Sequence, residues 1–117
     1  MTSLEQARRI AASCEERLAT NVAILDMRSV CDYTDFFVIA TGQNVRQTKA
    51  IHDEVYAAVK RDENVTPRST SGLPEASWIV ADYLDVVLHV FTPETREYYR
   101  LEDLWDDVPK LEAAATA

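Results

Sequence analysis

Residues 77–91 read SWIVADYLDVVLHVF and contain two apolar runs of strand length, at positions 78–83 and 86–91. Only Leu84 and Asp85 separate these runs, and so short a connection joins two strands as an antiparallel hairpin. The stretch therefore predicts a β-hairpin in the C-terminal half of the chain, and the flanking segments must supply the rest of its sheet.

Two further apolar runs lie upstream of the hairpin, at residues 22–27 and 35–41, with a polar turn between them. The second run is nearly continuous in apolar character, which is typical of a central strand covered on both faces. Gly42 ends this strand. The segment 65–77 carries Pro and Gly among Ser and Thr, which predicts an edge strand or a surface loop.

Helical periodicity occurs in two segments. In the first, apolar residues recur every three or four positions, and Ser3 with Gln6 suits a capping box at its start. In the second, Asn44 with Gln47 predicts the start of a helix. The stripe predicted to be buried is Leu4, Ala7, Ala11, Cys14 and Leu18 in the first helix, and Val45, Thr48, Ile51, Val55, Ala58 and Val59 in the second.

The C-terminal part begins with another helix signal. Residues 92–94 read Thr-Pro-Glu, an N-cap followed by a first-turn proline and an acid. Residues 98–111 are predicted to form helical turns that dock Leu101, Leu104 and Trp105. A frayed tail is expected at 112–117. The element order predicts one domain over residues 1–117, an α+β fold with a mixed sheet flanked by helices.

Composition restricts the function. The chain has 12 Lys and Arg against 20 Asp and Glu, a net charge of −8 with a pI of about 4.6. Independent nucleic-acid binding is not expected, because its affinity comes mainly from cations that neutralise phosphates, so a basic protein is the better partner. No apolar run approaches the roughly 20 residues of a membrane helix. Neither an export signal nor a disulfide framework is evident, and a cytoplasmic location is expected.

The segment 41–43, Thr-Gly-Gln, leads from a strand into a helix, where nucleotidyltransferases hold a triphosphate. Those enzymes also require metal-binding carboxylates, which on one strand face would be two positions apart. No acidic residue in this sequence has another acid two positions away. Two acid pairs bracket strand ends and lie three positions apart, Asp32 with Asp35 and Asp82 with Asp85. Turn and cap roles are predicted for Asp32 and Asp35, and the role of the second pair is left open at this point.

The sequence therefore predicts no catalytic, cofactor-binding or metal-binding residues. A nucleotide-binding or nucleotidyltransferase-like enzyme is the alternative, and a small adaptor for some other basic partner is also left open. His52 and His89 lack a third ligand at metal spacing, so each is expected to be a packed or surface histidine. Trp105 fits a core position on a helical stripe. Trp78 begins a strand after a loop, where a partly exposed indole can anchor an interface, so core and interface are equally open for it.

Several of these motifs together resemble the ribosomal silencing factor family, also called Iojap-like. The motifs are residues 35–42 (DFFVIATG), Gln47, residues 50–51, residues 77–91 and residues 96–105. The resemblance extends from about residue 4 to residue 108. It implies a nucleotidyltransferase-like core that lacks catalytic residues.

The resemblance also implies a translation repressor and not an enzyme. Members of the family bind a basic protein of the large ribosomal subunit, number fourteen of that set, on the face that meets the small subunit. They thereby block joining of the subunits when nutrients are scarce. Carried over to this sequence, the implied partner-binding residues are Trp78, Asp82, Tyr83, Asp85, Arg96 and Tyr99. A homodimer is left open.

Two positions depart from the family pattern. Leu84 stands where most members have Gly, and Ser71 precedes Gly72 where a Glu is usual. A two-residue hairpin often requires positive φ, which costs a leucine about 1 kcal/mol or more. We therefore expect a longer or distorted turn, with the partner contact at this tip and any role of Ser71 left open.

Overall fold

The structure, a computed structural model, describes residues 2–105 and 108–112. The strands are β1 (Thr20–Asp26), β2 (Phe36–Thr41), β3 (Ser69–Ser71), β4 (Trp78–Asp82), β5 (Val86–Phe91) and β6 (Lys110–Glu112). The helices are α1 (Ser3–Glu16), α2 (Val45–Glu63), α3 (Pro93–Tyr99) and α4 (Leu101–Leu104). All six strands form one sheet in the order β3-β4-β5-β2-β1-β6. The predicted α+β class, a mixed sheet flanked by helices, is confirmed.

The predicted hairpin is present, with β4 and β5 antiparallel and Trp78 opposite Phe91. Strand β5 pairs in parallel with β2, which makes the sheet mixed. Every residue of β2 and of β5 is buried, as expected for central strands covered on both faces. Strand β3 pairs with β4 at the sheet edge, one of the two forms predicted for residues 65–77.

Helices α1 and α2 cover one face of the sheet, and we call this the helix face. Ile10, Ile51 and Val55 of these helices belong to the same buried cluster as Ile79 of β4 and Leu88 of β5. Most of the apolar stripe of each helix is thus buried, as its spacing predicts. The prediction is wrong for two residues. Leu18 lies beyond the end of α1 and is 76% exposed, and Val45 is 46% exposed.

The capping box of α1 lies one residue earlier than predicted. The hydroxyl of Thr2 accepts the Glu5 amide N–H at 3.1 Å, and the Glu5 carboxylate accepts the Thr2 N–H at 2.8 Å. A carboxylate near the positive helix end is a stronger acceptor than an amide oxygen, which favours this register. Gln6 instead donates to Glu63 of α2 at 3.0 Å.

The C-terminal part differs most from prediction. Strand β6 pairs with β1, with Leu111 opposite Ile24, where helical turns were expected. Leu104 is 70% exposed, although Trp105 is partly buried as expected. Glu112 belongs to β6, so the expected tail does not begin there, and residues 113–117 lie outside the described residues. A three-residue strand is too short for periodicity to reveal.

Candidate partner-binding surface

The face of the sheet opposite α1 and α2 is only partly covered. The short helices α3 and α4 and the side chain of Trp105 pack on part of it, while Trp78, Val80 and Asp82 of β4 stay partly exposed. Val80 lies opposite His89 of β5 on this side, because directly paired residues share a face. We call the surface formed by Trp78, Val80, Asp82 and Tyr99 the Trp78 face.

Trp78 contacts both a buried ring and an exposed one. Its ring centroid is 5.0 Å from that of Phe91, with only 26° between the planes. The Tyr99 ring is 4.8 Å from that of Trp78, and Tyr99 is 51% exposed. Trp78 therefore packs partly in the core and stays partly exposed, and its role as an interface anchor stays a prediction.

His89 lies beneath this aromatic group and is 7% exposed. The indole Nε1–H of Trp78 donates to His89 Nδ1 at 3.2 Å. Burial lowers the pKa of His89 to about 4, so the imidazole is neutral at pH 7 and Nδ1 can accept. The packed position expected for His89 is confirmed, and its contact with Trp78 is a feature that the sequence analysis missed.

The loop before β4 fixes the position of Trp78 at the start of the strand. Gly72 has a φ of +85°, and a Cβ at this position would lie 2.0 Å from the carbonyl oxygen of Trp78. The Ala76 N–H donates to the Gly72 carbonyl at 2.7 Å, and the Thr48 hydroxyl of α2 donates to the Ala76 carbonyl at 2.6 Å. The loop is thus attached to α2, and only glycine allows the close approach at residue 72.

The hairpin tip is tight and not lengthened. Leu84 adopts a φ of 80°, and the Asp85 N–H donates to the Tyr83 carbonyl at 3.1 Å, which closes a three-residue turn. The Leu84 N–H donates to the Asp82 carboxylate at 2.8 Å. Of the two expected forms, the longer turn is wrong and the distorted turn is present, because Leu84 adopts a positive φ that its hydrogen bond to Asp82 stabilises.

The two acids of the hairpin differ in availability. Besides the Leu84 N–H, the Asp82 carboxylate accepts from Nε of Arg68 at 3.0 Å, so both of its oxygens are already engaged. Asp85 is exposed, and its carboxylate has no partner within residues 2–105 and 108–112. Asp85 is accordingly the hairpin acid that is free to contact another molecule.

Two of the implied partner-binding residues do not fit a contact role. Tyr83 is 4% exposed and packs in the core of the helix face, because side chains alternate along a strand and Tyr83 shares the side of Ile79 and Ala81. Its hydroxyl is buried, and burial raises the pKa of this group. Tyr83 is therefore removed from the surface set.

Arg96 is the second correction. Its guanidinium donates to both Glu102 carboxylate oxygens, at 3.0 and 2.7 Å, to the Asn21 carbonyl at 2.6 Å and to the Thr41 hydroxyl at 2.7 Å. The side chain is 12% exposed. These bonds link α3 to α4 and to the sheet. The two bonds to Glu102 hold the pKa of that carboxyl below its usual value. With its donors used inside the chain, Arg96 shapes the surface and does not offer a free charge to it.

The surface has an aromatic end and an acidic end. Trp78 and Tyr99 are in contact at one end of β4, whereas Asp82 and Asp85 lie at the other. Trp78 and Asp82 are four residue steps apart along the strand, which corresponds to about 13 Å. Register explains what sequence reasoning missed: His89 and Phe91 fall on the same side as Trp78 once β4 and β5 are aligned as an antiparallel pair.

The strand-to-helix turn at Gly42 packs closely against the first turn of α2. A Cβ on Gly42 would come within 3.0 Å of the Thr48 side chain and backbone N of α2. The Gln43 N–H donates to the Gln47 side chain at 2.7 Å, and the Gln47 N–H donates to the Asn44 side chain at 3.0 Å. These two amide groups, which a phosphate at this helix end would use, are therefore already bonded.

Two other features are absent from the described part of the chain. No group of three or more His, Cys, Asp or Glu side chains is placed to hold a metal ion there. No helix among the same residues is both long and apolar enough to cross a membrane.

A family model and the sequences of known proteins point to the same family. Residues 1–117 match the family model described as "Ribosomal silencing factor during starvation". The ribosomal silencing factor RsfS of Bacillus subtilis is 38% identical over 100 residues, which cover 85% of this chain and 83% of that protein. The mouse protein named mitochondrial assembly of ribosomal large subunit protein 1 is 33% identical over 92 residues, which cover 74% of this chain and 39% of that one.

Two solved structures have the same fold as this chain. The crystal structure of a Chromobacterium violaceum protein superposes with a TM-score of 0.87 at 27% identity and covers 98% of both chains. A Bacillus halodurans crystal structure superposes with a TM-score of 0.76 at 32% identity, over 93% of this chain and 95% of that one. The family suggested by the sequence motifs is confirmed, and the chain belongs to the ribosomal silencing factor family.

Proposed function

We propose that the protein binds the large ribosomal subunit through its Trp78 face and represses translation by keeping the small subunit from joining. The partner in this proposal is the basic ribosomal protein, number fourteen of the large subunit, that the resemblance implies. Cytoplasmic ribosomes are the expected target. The mechanism is steric, so it requires a surface that binds tightly and no catalytic residue.

The observation that carries the proposal is the position of Trp78. Its indole is backed by Phe91 and His89 yet stays partly exposed on the less covered face of the sheet. Tryptophan is enriched at binding hot spots because it offers a large apolar area with little conformational entropy to lose. Tyr99 widens the apolar area beside it.

Charge supports a basic partner. Residues 78–117 contain 9 acids and 3 bases, a net of −6, whereas residues 1–77 contain 11 acids and 9 bases, a net of −2. The hairpin acid Asp85 is exposed at one end of the Trp78 face. Acids of this kind attract a basic surface over several ångströms and mainly accelerate association.

The decisive experiment is sedimentation of the protein with purified large subunits. Trp78→Ala should weaken binding about thirtyfold or more, which corresponds to about 2 kcal/mol, because the proposed apolar anchor is lost. The parent protein should also lower the fraction of joined ribosomes, and the variant should not. Tyr56→Ala is a matched control, since Tyr56 is an aromatic residue on α2 that is 42% exposed on the opposite side.

Two outcomes would contradict the proposal. Trp78→Ala could bind the large subunit as tightly as the parent protein, or the parent could migrate only with the small subunit. A second measurement tests the electrostatic part: Asp85→Asn should slow association and reduce its dependence on salt. An unchanged salt dependence would remove Asp85 from the interface.

The alternative, a nucleotide-binding enzyme, has less support. It requires a phosphate at the start of α2, where the amides of Gln43 and Gln47 are already bonded to side chains. Isothermal titration with ATP and Mg²⁺ separates the two functions. Heat of binding at micromolar to millimolar nucleotide would favour the enzyme.

A further inference from the structure

The inward-facing nitrogen of Trp78 is the feature from which a further inference follows. The Nε1–H donates to Nδ1 of His89 at 3.2 Å. His89 comes from the neighbouring strand, two residues before Phe91, on which the same indole stacks. One side chain of β4 is thus held by two adjacent same-face residues of β5.

The polarity of this hydrogen bond is fixed. An indole nitrogen can only donate, so His89 must accept at Nδ1 and carry its proton on Nε2. The ring is neutral at pH 7, because burial keeps the pKa of His89 low. Phe37, 4.8 Å away in an edge arrangement, and Phe91, 6.2 Å away and nearly parallel, confine the imidazole plane.

This bond matters most when the surface is covered. In the free protein, water could solvate an indole N–H that had no protein acceptor. A partner that covers the ring removes that water, and a buried donor without an acceptor weakens binding. His89 provides the acceptor from inside the protein and restricts the indole to one orientation before the partner arrives, which lowers the entropy lost on binding.

We infer that His89 is a positioning residue for Trp78, which holds the indole in its binding orientation and remains its acceptor in the complex. The inference rests on the proposed function, because it concerns the same surface. His89 itself is buried and does not contact the partner.

The first test uses the free protein. In a proton–nitrogen NMR spectrum, His89→Phe should move the Trp78 indole N–H signal upfield and speed its exchange with solvent about tenfold, as expected when one hydrogen bond is lost. His89→Asn should largely restore both values, because its side-chain oxygen can occupy the place of Nδ1. Trp105→Phe identifies which indole signal is which. Unchanged shift and exchange in His89→Phe would overturn the inference.

The second test measures affinity for purified large ribosomal subunits. His89→Phe should bind about tenfold more weakly, mainly through faster dissociation, and His89→Asn should stay within about threefold of the parent. Thermal unfolding of both variants confirms that they are folded. A purely structural role predicts that affinity follows stability and not the presence of an acceptor.

The outcomes separate the two proposals. If Trp78→Ala binds as tightly as the parent, the proposed function fails at this surface, while the NMR test still decides whether His89 positions the indole. If Trp78→Ala weakens binding and His89→Phe does not, only the inference about His89 is overturned.

Discussion

The two faces of the sheet use the same strand in opposite ways. In β4, Ile79 and Ala81 point to the helix face and are fully buried, whereas Trp78, Val80 and Asp82 point the other way and stay partly exposed. Alternation along one strand of five residues therefore separates a core role from a surface role. The difference lies in what covers each face.

Helix length accounts for the unequal cover. Helix α2 has 19 residues and α1 has 14, whereas α3 has 7 and α4 has 4. At 1.5 Å per residue, α2 spans about 28 Å and α3 only about 10 Å. Against a molecule 33 Å in its longest extent, the first pair can cover a whole face and the second pair cannot.

The sharpest contrast is between neighbours in sequence. Ile79→Ala should lower the free energy of unfolding by about 3 kcal/mol, because it leaves a cavity in the core of the helix face. The folded variant should keep its affinity for large subunits, unlike Trp78→Ala. Urea denaturation and sedimentation measure the two quantities. If Ile79→Ala weakened the affinity of folded protein as much as Trp78→Ala, the division between the faces would be wrong.

The cover of the Trp78 face depends on Arg96. Arg96→Ala should lower the free energy of unfolding by about 2 kcal/mol, since it leaves the Glu102 carboxylate and Thr41 hydroxyl without their donor. Chemical denaturation gives this value. Arg100→Ala is the control, because its ion pair with Asp103 is exposed on both sides and should contribute little. Equal effects of the two substitutions would contradict the structural role of Arg96.

Stability should depend on pH through His89. The unfolded histidine has a pKa of about 6.5 and the folded one about 4, so the unfolded state binds a proton first as the pH falls. The contribution of the neutral His89 to the free energy of unfolding is therefore fully present above about pH 6.5 and is lost progressively down to about pH 4. Between pH 7 and pH 5 the free energy of unfolding should fall by about 2 kcal/mol. Denaturation at several pH values measures this slope. His89→Phe should flatten it, and an identical slope in the variant would contradict the assignment.

The smallest expected effect is at the hairpin tip. Leu84→Gly should raise the free energy of unfolding by about 0.5 kcal/mol, because relief of the left-handed strain exceeds the entropy that glycine loses. Thermal denaturation would detect it. A loss of stability would mean that the exposed leucine side chain contributes more than its backbone costs.

Much of the fold follows from local pattern. The hairpin, the buried strand at 36–41 and the start of α2 at Asn44 are each predicted by short-range signals and confirmed. Strand β6 is not, because three residues carry too little pattern and its pairing with β1 joins distant segments.

The candidate surface was predictable only in part. Trp78 and Tyr99, both in the predicted set, are in contact, and Asp85 of the same set is exposed. Alternation from Trp78 already places Tyr83 on the opposite side, a signal that the motif resemblance obscured. Nothing in the sequence indicates that Arg96 is used internally, because its acceptors include Asn21 and Thr41, which lie far away along the chain.

The sequence by itself determined the family, the hairpin and the acidic C-terminal part, because motifs, strand alternation and charge are properties of neighbouring residues. Only the tertiary structure decided which face of the sheet stays less covered and which polar groups remain free on it. Asp85 is available while Asp82 and Arg96 are not, since hydrogen-bond donors and acceptors are assigned by contacts between segments that folding alone brings together.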